Sequence, residues 1–161
     1  MPSLFDFPLP GLESGVIDVK SLAPKATLIV NVASRCGLTP QYKTLESLWR
    51  ANRQRGLLII GVPCNQFADQ EPGTPEQIAN FCSREYAVTF PLTEKLDVNG
   101  KNRHPLYQWL AGTLAPFPGD ISWNFEKFLI DAEGQITARF SPRTAPDAPE
   151  LISALSDLLA G

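Results

Sequence analysis

Histidine occurs once and cysteine three times in 161 residues, too few ligands for a zinc-finger type of metal site and an odd number of thiols for a disulfide framework. Excess positive charge is missing too. Fourteen Lys and Arg stand against 17 Asp and Glu, a net charge of -3, so the chain carries no electrostatic footprint for a phosphate backbone, and nucleic acid is not an expected partner. No run approaches the roughly 18 apolar residues of a membrane span, and the opening stretch MPSLFDFPLPGLESG has no basic segment followed by an apolar one, as a secretory leader would. The expectation is a soluble, cytoplasmic protein without stable membrane insertion. Repeats, low-complexity tracts and charge blocks are absent as well.

What is present is ordinary globular composition, 43% apolar and 19% charged, in a length that suits one domain over residues 1–161. Such a domain needs no staples. Cys36, Cys64 and Cys82 are therefore either core residues or redox chemistry.

The hydrophobic pattern predicts an extended N-terminal region, then a buried strand in ATLIVNVA, residues 26 to 33. Thr39 and Pro40 read as the cap and first position of a helix carrying Tyr42, Leu45, Leu48 and Trp49 and ending near Gly56. LLIIGVP, 57 to 63, is a second buried strand, and TPEQ, 74 to 77, is a capping box that opens a helix with Ile78, Phe81 and Cys82. The stretch from 85 to 120 is less regular, with a short helix from about His104 to Leu110. NFEKFLID and QITARFSP flank AEG as an antiparallel hairpin, and a last helix from about Pro149 places Leu151, Ile152, Leu155, Leu158 and Leu159 on one face. The order β-α-β-α, insertion, β-β-α is that of an α/β, thioredoxin-like fold, a central mixed sheet flanked by helices.

In that fold the first strand-to-helix turn lies at the carboxyl end of the sheet, where ligands bind in open α/β structures. Cys36 occupies this turn. Free backbone N–H groups and the positive end of a helix favour thiolate over thiol, and the thiolate is the nucleophile. Arg35 adds little, because adjacent side chains often point apart. A buried structural cysteine at a strand end is the competing reading.

Four blocks carry a resemblance: NVASRCGLTPQY, GVPCNQFADQEPG, DVNGKNRHPLYQWL and WNFEKFLIDAEGQITARFSP. In that order, and spanning residues from about 26 to 142, they resemble the glutathione peroxidase family in its non-selenium, cysteine form. The resemblance implies that Cys36 attacks the peroxide and that Gln70, Trp123 and Asn124 complete its tetrad. Singly, these three would read as a surface amide, a core or rim aromatic and a turn residue. Together they offer amide and indole N–H donors but no strong base, suited to steadying an anion and aligning a peroxide.

The resemblance further implies that Cys82 resolves the sulfenic acid of Cys36 as a disulfide, with a helix that partly unwinds to let the sulfurs meet. A low-stability segment around 78 to 90 is the corresponding expectation. Thioredoxin is then the expected reductant and glutathione a poorer one; hydrogen peroxide and organic or lipid hydroperoxides are the expected substrates, with no metal or organic cofactor. Cys64 is expected to be structural, Asn65 and Gln66 loop scaffolding, and His104 a helix-terminus residue. The short segment AGTLAPFPGDIS, where tetrameric members carry an insertion, implies a monomer with an open face. Departures are the loosely matching residues before 26 and Ala68, where many members have Gly.

A thiol-disulfide oxidoreductase would want a second cysteine three residues after Cys36, where Thr39 stands, and a peroxiredoxin would want Thr three before it, where Ala33 stands. From another class, a peroxide sensor passing its disulfide to a client protein would use the same residues.

Overall fold

Two seven-residue apolar runs rich in Val, Ile and Leu form a pair of parallel strands buried along their whole length, because both of their faces are covered. The structure, a computed structural model, describes residues 2–161. A short 3-10 turn at Leu4–Asp6 precedes a hairpin of β1 (Leu9–Pro10) and β2 (Val16–Ile17), then helix α1 (Val19–Leu22). Next come β3 (Ala26–Val32), α2 (Gln41–Asn52), β4 (Leu57–Pro63), α3 (Pro75–Tyr86), α4 (Pro105–Ala111), β5 (Lys127–Ile130), β6 (Ile136–Phe140) and α5 (Pro149–Ala160). The extended N-terminal region foreseen from sequence is thus partly a small hairpin with a helical turn on each side.

The main sheet has the order β4-β3-β5-β6. β3 pairs parallel with β4, Ile29 opposite Ile60, and antiparallel with β5, Ile29 opposite Phe128. Strand alternation divides the core between the two faces. Leu28, Val30, Val32, Ile59 and Leu129 pack on one side with Tyr42 and Leu45 of α2, Ile78 of α3 and Leu151, Leu155 and Leu159 of α5. Ile29, Leu58, Ile60, Phe128 and Ile130 pack on the other with Leu106, Tyr107 and Leu110 of α4 and the N-terminal Leu4 and Leu9. This is the mixed, helix-flanked sheet of a thioredoxin-like fold.

Two helix boundaries are instructive. Thr74 and Gln77 form the reciprocal capping box expected of TPEQ, with Gln77 N–H to Thr74 Oγ1 at 3.2 Å and Thr74 N–H to Gln77 Oε1 at 2.9 Å. Thr39, by contrast, is not a helix cap. α2 starts at Gln41 with Pro40 in the cap position, and the Thr39 hydroxyl is turned inward to a different task. At the far end the chain turns through Gly56 at φ +110°, where a Cβ would stand 2.8 Å from the Lys25 side chain. No helix among the described residues is long and apolar enough to cross a membrane.

Candidate active site

Cys36 follows the carboxyl end of β3 in a turn held by Thr39. The Thr39 hydroxyl accepts the Cys36 backbone N–H at 2.9 Å and donates to the Ala33 carbonyl at 2.8 Å. One side chain thereby serves two backbone groups of a buried turn, which is why it does not cap the helix. The Leu38 N–H points at the Cys36 sulfur, 3.3 Å away, so the thiol faces a backbone donor as its position implied. Cys36 is only 8% exposed. It opens onto a cleft of about 580 Å³ whose walls include Leu38, Trp123, Ser141, Pro142 and Arg143.

The loop after β4 brings Gln70 to this turn. Ala68 and Asp69 both adopt left-handed conformations, φ 55° and 52°, a region that favours glycine. The Gln70 carbonyl accepts the Arg35 N–H at 3.0 Å. Beside it, fully buried Glu71 accepts the Ser34 N–H at 3.1 Å through Oε1, while its own N–H donates to Asn65 Oδ1 at 2.8 Å. Burial raises the Glu71 carboxyl above its usual range, against the lowering effect of the Ser34 hydrogen bonds. Gln66 Oε1 accepts the Val98 and Asn99 N–H groups at 2.7 and 3.0 Å. Asn65 and Gln66 are therefore loop scaffolding, as expected.

The third segment precedes β5. Asn31, the one polar side chain in LIVNVA, reaches across with Nδ2 to the Trp123 carbonyl at 3.0 Å, and its own carbonyl accepts the Phe125 N–H at 2.6 Å. Phe125 is fully buried at φ +68°, a conformation that disfavours a bulky side chain and persists only where surroundings enforce it. Asn124, just before it, is fully buried and donates from Nδ2 to Gln70 Oε1 at 2.9 Å. The Trp123 ring packs against Phe67, centroids 5.6 Å apart, and lines the cleft with Cys36. The fold thus gathers the four residues as two linked pairs: Cys36 with Trp123 at the cleft, and Gln70 with Asn124 joined by their amides.

Cys82 is not part of the cleft. It is buried in α3 and borders a separate surface depression with Leu12, Val88 and Phe90. It does share with Cys36 one face of the sheet, whereas Cys64 lies on the other. All three thiols are free. Burial pushes Cys82 up to about 11, partly offset by the nearby Tyr42 hydroxyl. That hydroxyl is buried without a hydrogen-bond partner. Burial also raises Cys64, whose thiol donates to Gln66 Oε1 at 3.5 Å. His104 caps α4, its Nδ1 accepting the Leu106 N–H at 3.1 Å.

Asn31, Glu71 and Lys127 escape a reading by motif. Each is a polar or charged side chain that is fully buried, and for Asn31 and Lys127 the signal was present as an interruption of an apolar strand.

A glutathione peroxidase family model matches residues 4–111. The chain is 56% identical over 138 residues to hydroperoxy fatty acid reductase Gpx2 of Synechocystis sp., covering 86% of this chain and 87% of that one. It is 41% identical over 170 residues to the thioredoxin/glutathione peroxidase BtuE of Escherichia coli, covering 92% and 93%. Among solved structures, T. cruzi GPX1 matches with a TM-score of 0.78 at 34% identity, covering 99% of this chain and 98% of that one.

Proposed function

The chain belongs to the glutathione peroxidase family, and on that premise we propose that Cys36 is its peroxidatic nucleophile, Cys82 its resolving thiol and thioredoxin its reductant. As a member of this family it is a thiol-dependent hydroperoxide peroxidase. The observation that carries the residue assignment is the placing of Cys36 and Trp123 on one cleft, with the bonded Gln70–Asn124 amides tied to the same turn.

In the first step the Cys36 sulfur attacks one peroxide oxygen; an S–O bond forms as the O–O bond breaks, and the departing oxygen leaves as water or alcohol after taking a proton. Gln70, Trp123 and Asn124 supply donors that steady the anion and align the peroxide. In the second step the Cys82 sulfur bonds to the Cys36 sulfur, the S–O bond breaks, and hydroxide leaves with the Cys82 proton as water. Thioredoxin then returns two electrons by thiol-disulfide exchange. The cycle uses no metal or organic cofactor.

Cys82 is favoured over Cys64 because it shares a sheet face with Cys36. A helical, buried Cys82 must still move, since a disulfide requires Cα atoms within about 7 Å. The E. coli relative, by its name a thioredoxin/glutathione peroxidase, supports thioredoxin as reductant. The Synechocystis relative, a hydroperoxy fatty acid reductase, supports lipid hydroperoxides as substrates beside hydrogen peroxide.

Coupled turnover tests the reading: NADPH consumption with thioredoxin and its reductase against glutathione and its reductase, for the wild type, C36S and C82S. Thioredoxin is expected to sustain many turnovers only in the wild type. Turnover by C36S would overturn the nucleophile, and thioredoxin-driven turnover by C82S equal to that of the wild type would overturn the resolving role. Peroxide oxidation of Cys36 that thioredoxin does not reverse would replace the enzyme cycle with a relay to a client thiol.

A further inference from the structure

Lys127 is fully buried in β5, a place where an ammonium group is expensive unless it is paired. No carboxylate pairs with it among the described residues; Glu126, the residue just before the strand, is bridged instead to Arg139. Its Nζ donates to two carbonyls, that of Phe125 at 2.6 Å and that of Pro142 at 3.1 Å. These carbonyls belong to two separate segments that border the cleft: Phe125 follows Trp123 and Asn124, and Pro142 lines the cleft with Trp123, Ser141 and Arg143. Gln41, at the start of α2, donates to the same Pro142 carbonyl at 2.9 Å, so the junction also reaches the helix that begins just beyond Cys36.

We propose that Lys127 is a positioning residue, an amine clamp that fixes the Trp123–Asn124 segment against the Pro142 wall and so sets the geometry in which the peroxide meets Cys36. The clamp explains how Phe125 is held at φ +68°. Its N–H is anchored by the Asn31 carbonyl and its carbonyl by Lys127, one constraint on each side of a strained residue. Burial lowers the Lys127 amine to about 7, with Glu126 opposing. The clamp works in either protonation state, since a neutral amine keeps two N–H bonds and there are two acceptors. An apolar residue at this position would fill the space without holding either segment.

The proposal rests on the reading of Trp123 and Asn124 as donors to the reacting peroxide. Its test compares two reactions of the same thiol in full-length protein: single-turnover oxidation of Cys36 by hydrogen peroxide, and alkylation of Cys36 by iodoacetamide, which needs the nucleophile but no aligned peroxide. K127M is expected to slow oxidation at least tenfold while alkylation changes less than twofold. K127R, which keeps N–H donors, is expected to recover part of the oxidation rate. If K127M does not fold, K127Q, polar but too short to reach both carbonyls, is expected to show the same split. Oxidation within twofold of wild type in a folded K127M or K127Q, or an equal fall in both reactions, would overturn the clamp. N124A is the reference: wild-type oxidation by N124A would sink the underlying reading of the donors, whatever K127M does.

Discussion

The Asn124 side-chain amide donates to the Gln70 side-chain oxygen at 2.9 Å, joining residues 54 apart in the chain. This bond occupies the Gln70 acceptor and leaves the Gln70 amide hydrogens to point elsewhere, while Asn124 Oδ1 stays buried and unpartnered. Two neutral amides so arranged hold donors and one acceptor beside the Cys36 turn, to which the Gln70 carbonyl is tied through the Arg35 N–H, without introducing a base.

Removing either amide is therefore expected to slow Cys36 oxidation by about a hundredfold, the usual scale for a preorganised donor. Stopped-flow oxidation of Q70A and N124A measures it. Because the two act as a unit, the double variant is expected to lose less than the product of the single losses. Full multiplicativity would mean that the observed bond has no part in catalysis.

The Thr39 hydroxyl that ties the Cys36 N–H to the Ala33 carbonyl gives a second expectation. T39V keeps the shape but strips both bonds from a buried turn, at a cost of about 1–3 kcal/mol in urea unfolding. T39S is expected to stay close to wild type. A T39V protein of unchanged stability would show that water replaces the hydroxyl at no cost.

Thr39 also shows where sequence reading reached its limit. A Thr before Pro at a helix start reads as a cap, and only the fold reveals that its hydroxyl is nearer to the backbone of the preceding turn. The long elements were legible because their signals are strong: β3 and β4 lie within about two residues of their apolar runs, and α3 and α5 start where the TPEQ capping box and the leucine face put them. The N-terminal hairpin was not, since its strands are two residues each and carry no period. Cys36 was legible from its place in the turn. Gln70, Trp123 and Asn124 were legible only through resemblance, because their grouping depends on contacts across the sheet. Lys127 stood in plain view inside an apolar strand, but its partners are carbonyls and carbonyls leave no trace in a sequence.

Thiol reactivity gives a third expectation. With Cys82 buried and raised from 9.0 to about 11, and Cys64 buried and also raised, alkylation of the reduced protein at neutral pH is expected to modify Cys36 first and leave the other two until denaturant is added. The linked stability has a definite sign. A thiol whose folded pKa lies above its unfolded one contributes stability that is complete below pH 9 and lost towards pH 11. Alkylation of Cys82 as fast as Cys36 in the folded protein would contradict its burial.

His104, the only histidine, gives a clean pH probe. Its Nδ1 must be unprotonated to accept the Leu106 N–H, and burial lowers its pKa from 6.5, with Glu94 opposing. The unfolded chain therefore takes up the proton first, so the contribution to stability is complete above pH 6.5 and lost as pH falls below it. H104N, a cap that does not titrate, is expected to flatten this part of the stability profile, measured by urea unfolding across the acid range. A profile identical to wild type would remove His104 as its source.

The most direct test of the whole account is to add one equivalent of hydroperoxide to the fully reduced protein and map its cysteines by peptide mass spectrometry. A Cys36–Cys82 disulfide is expected, with Cys64 still a free thiol. An unreacted Cys36, a stable sulfenic acid on Cys36 beside a free Cys82, or a disulfide to Cys64 would contradict it.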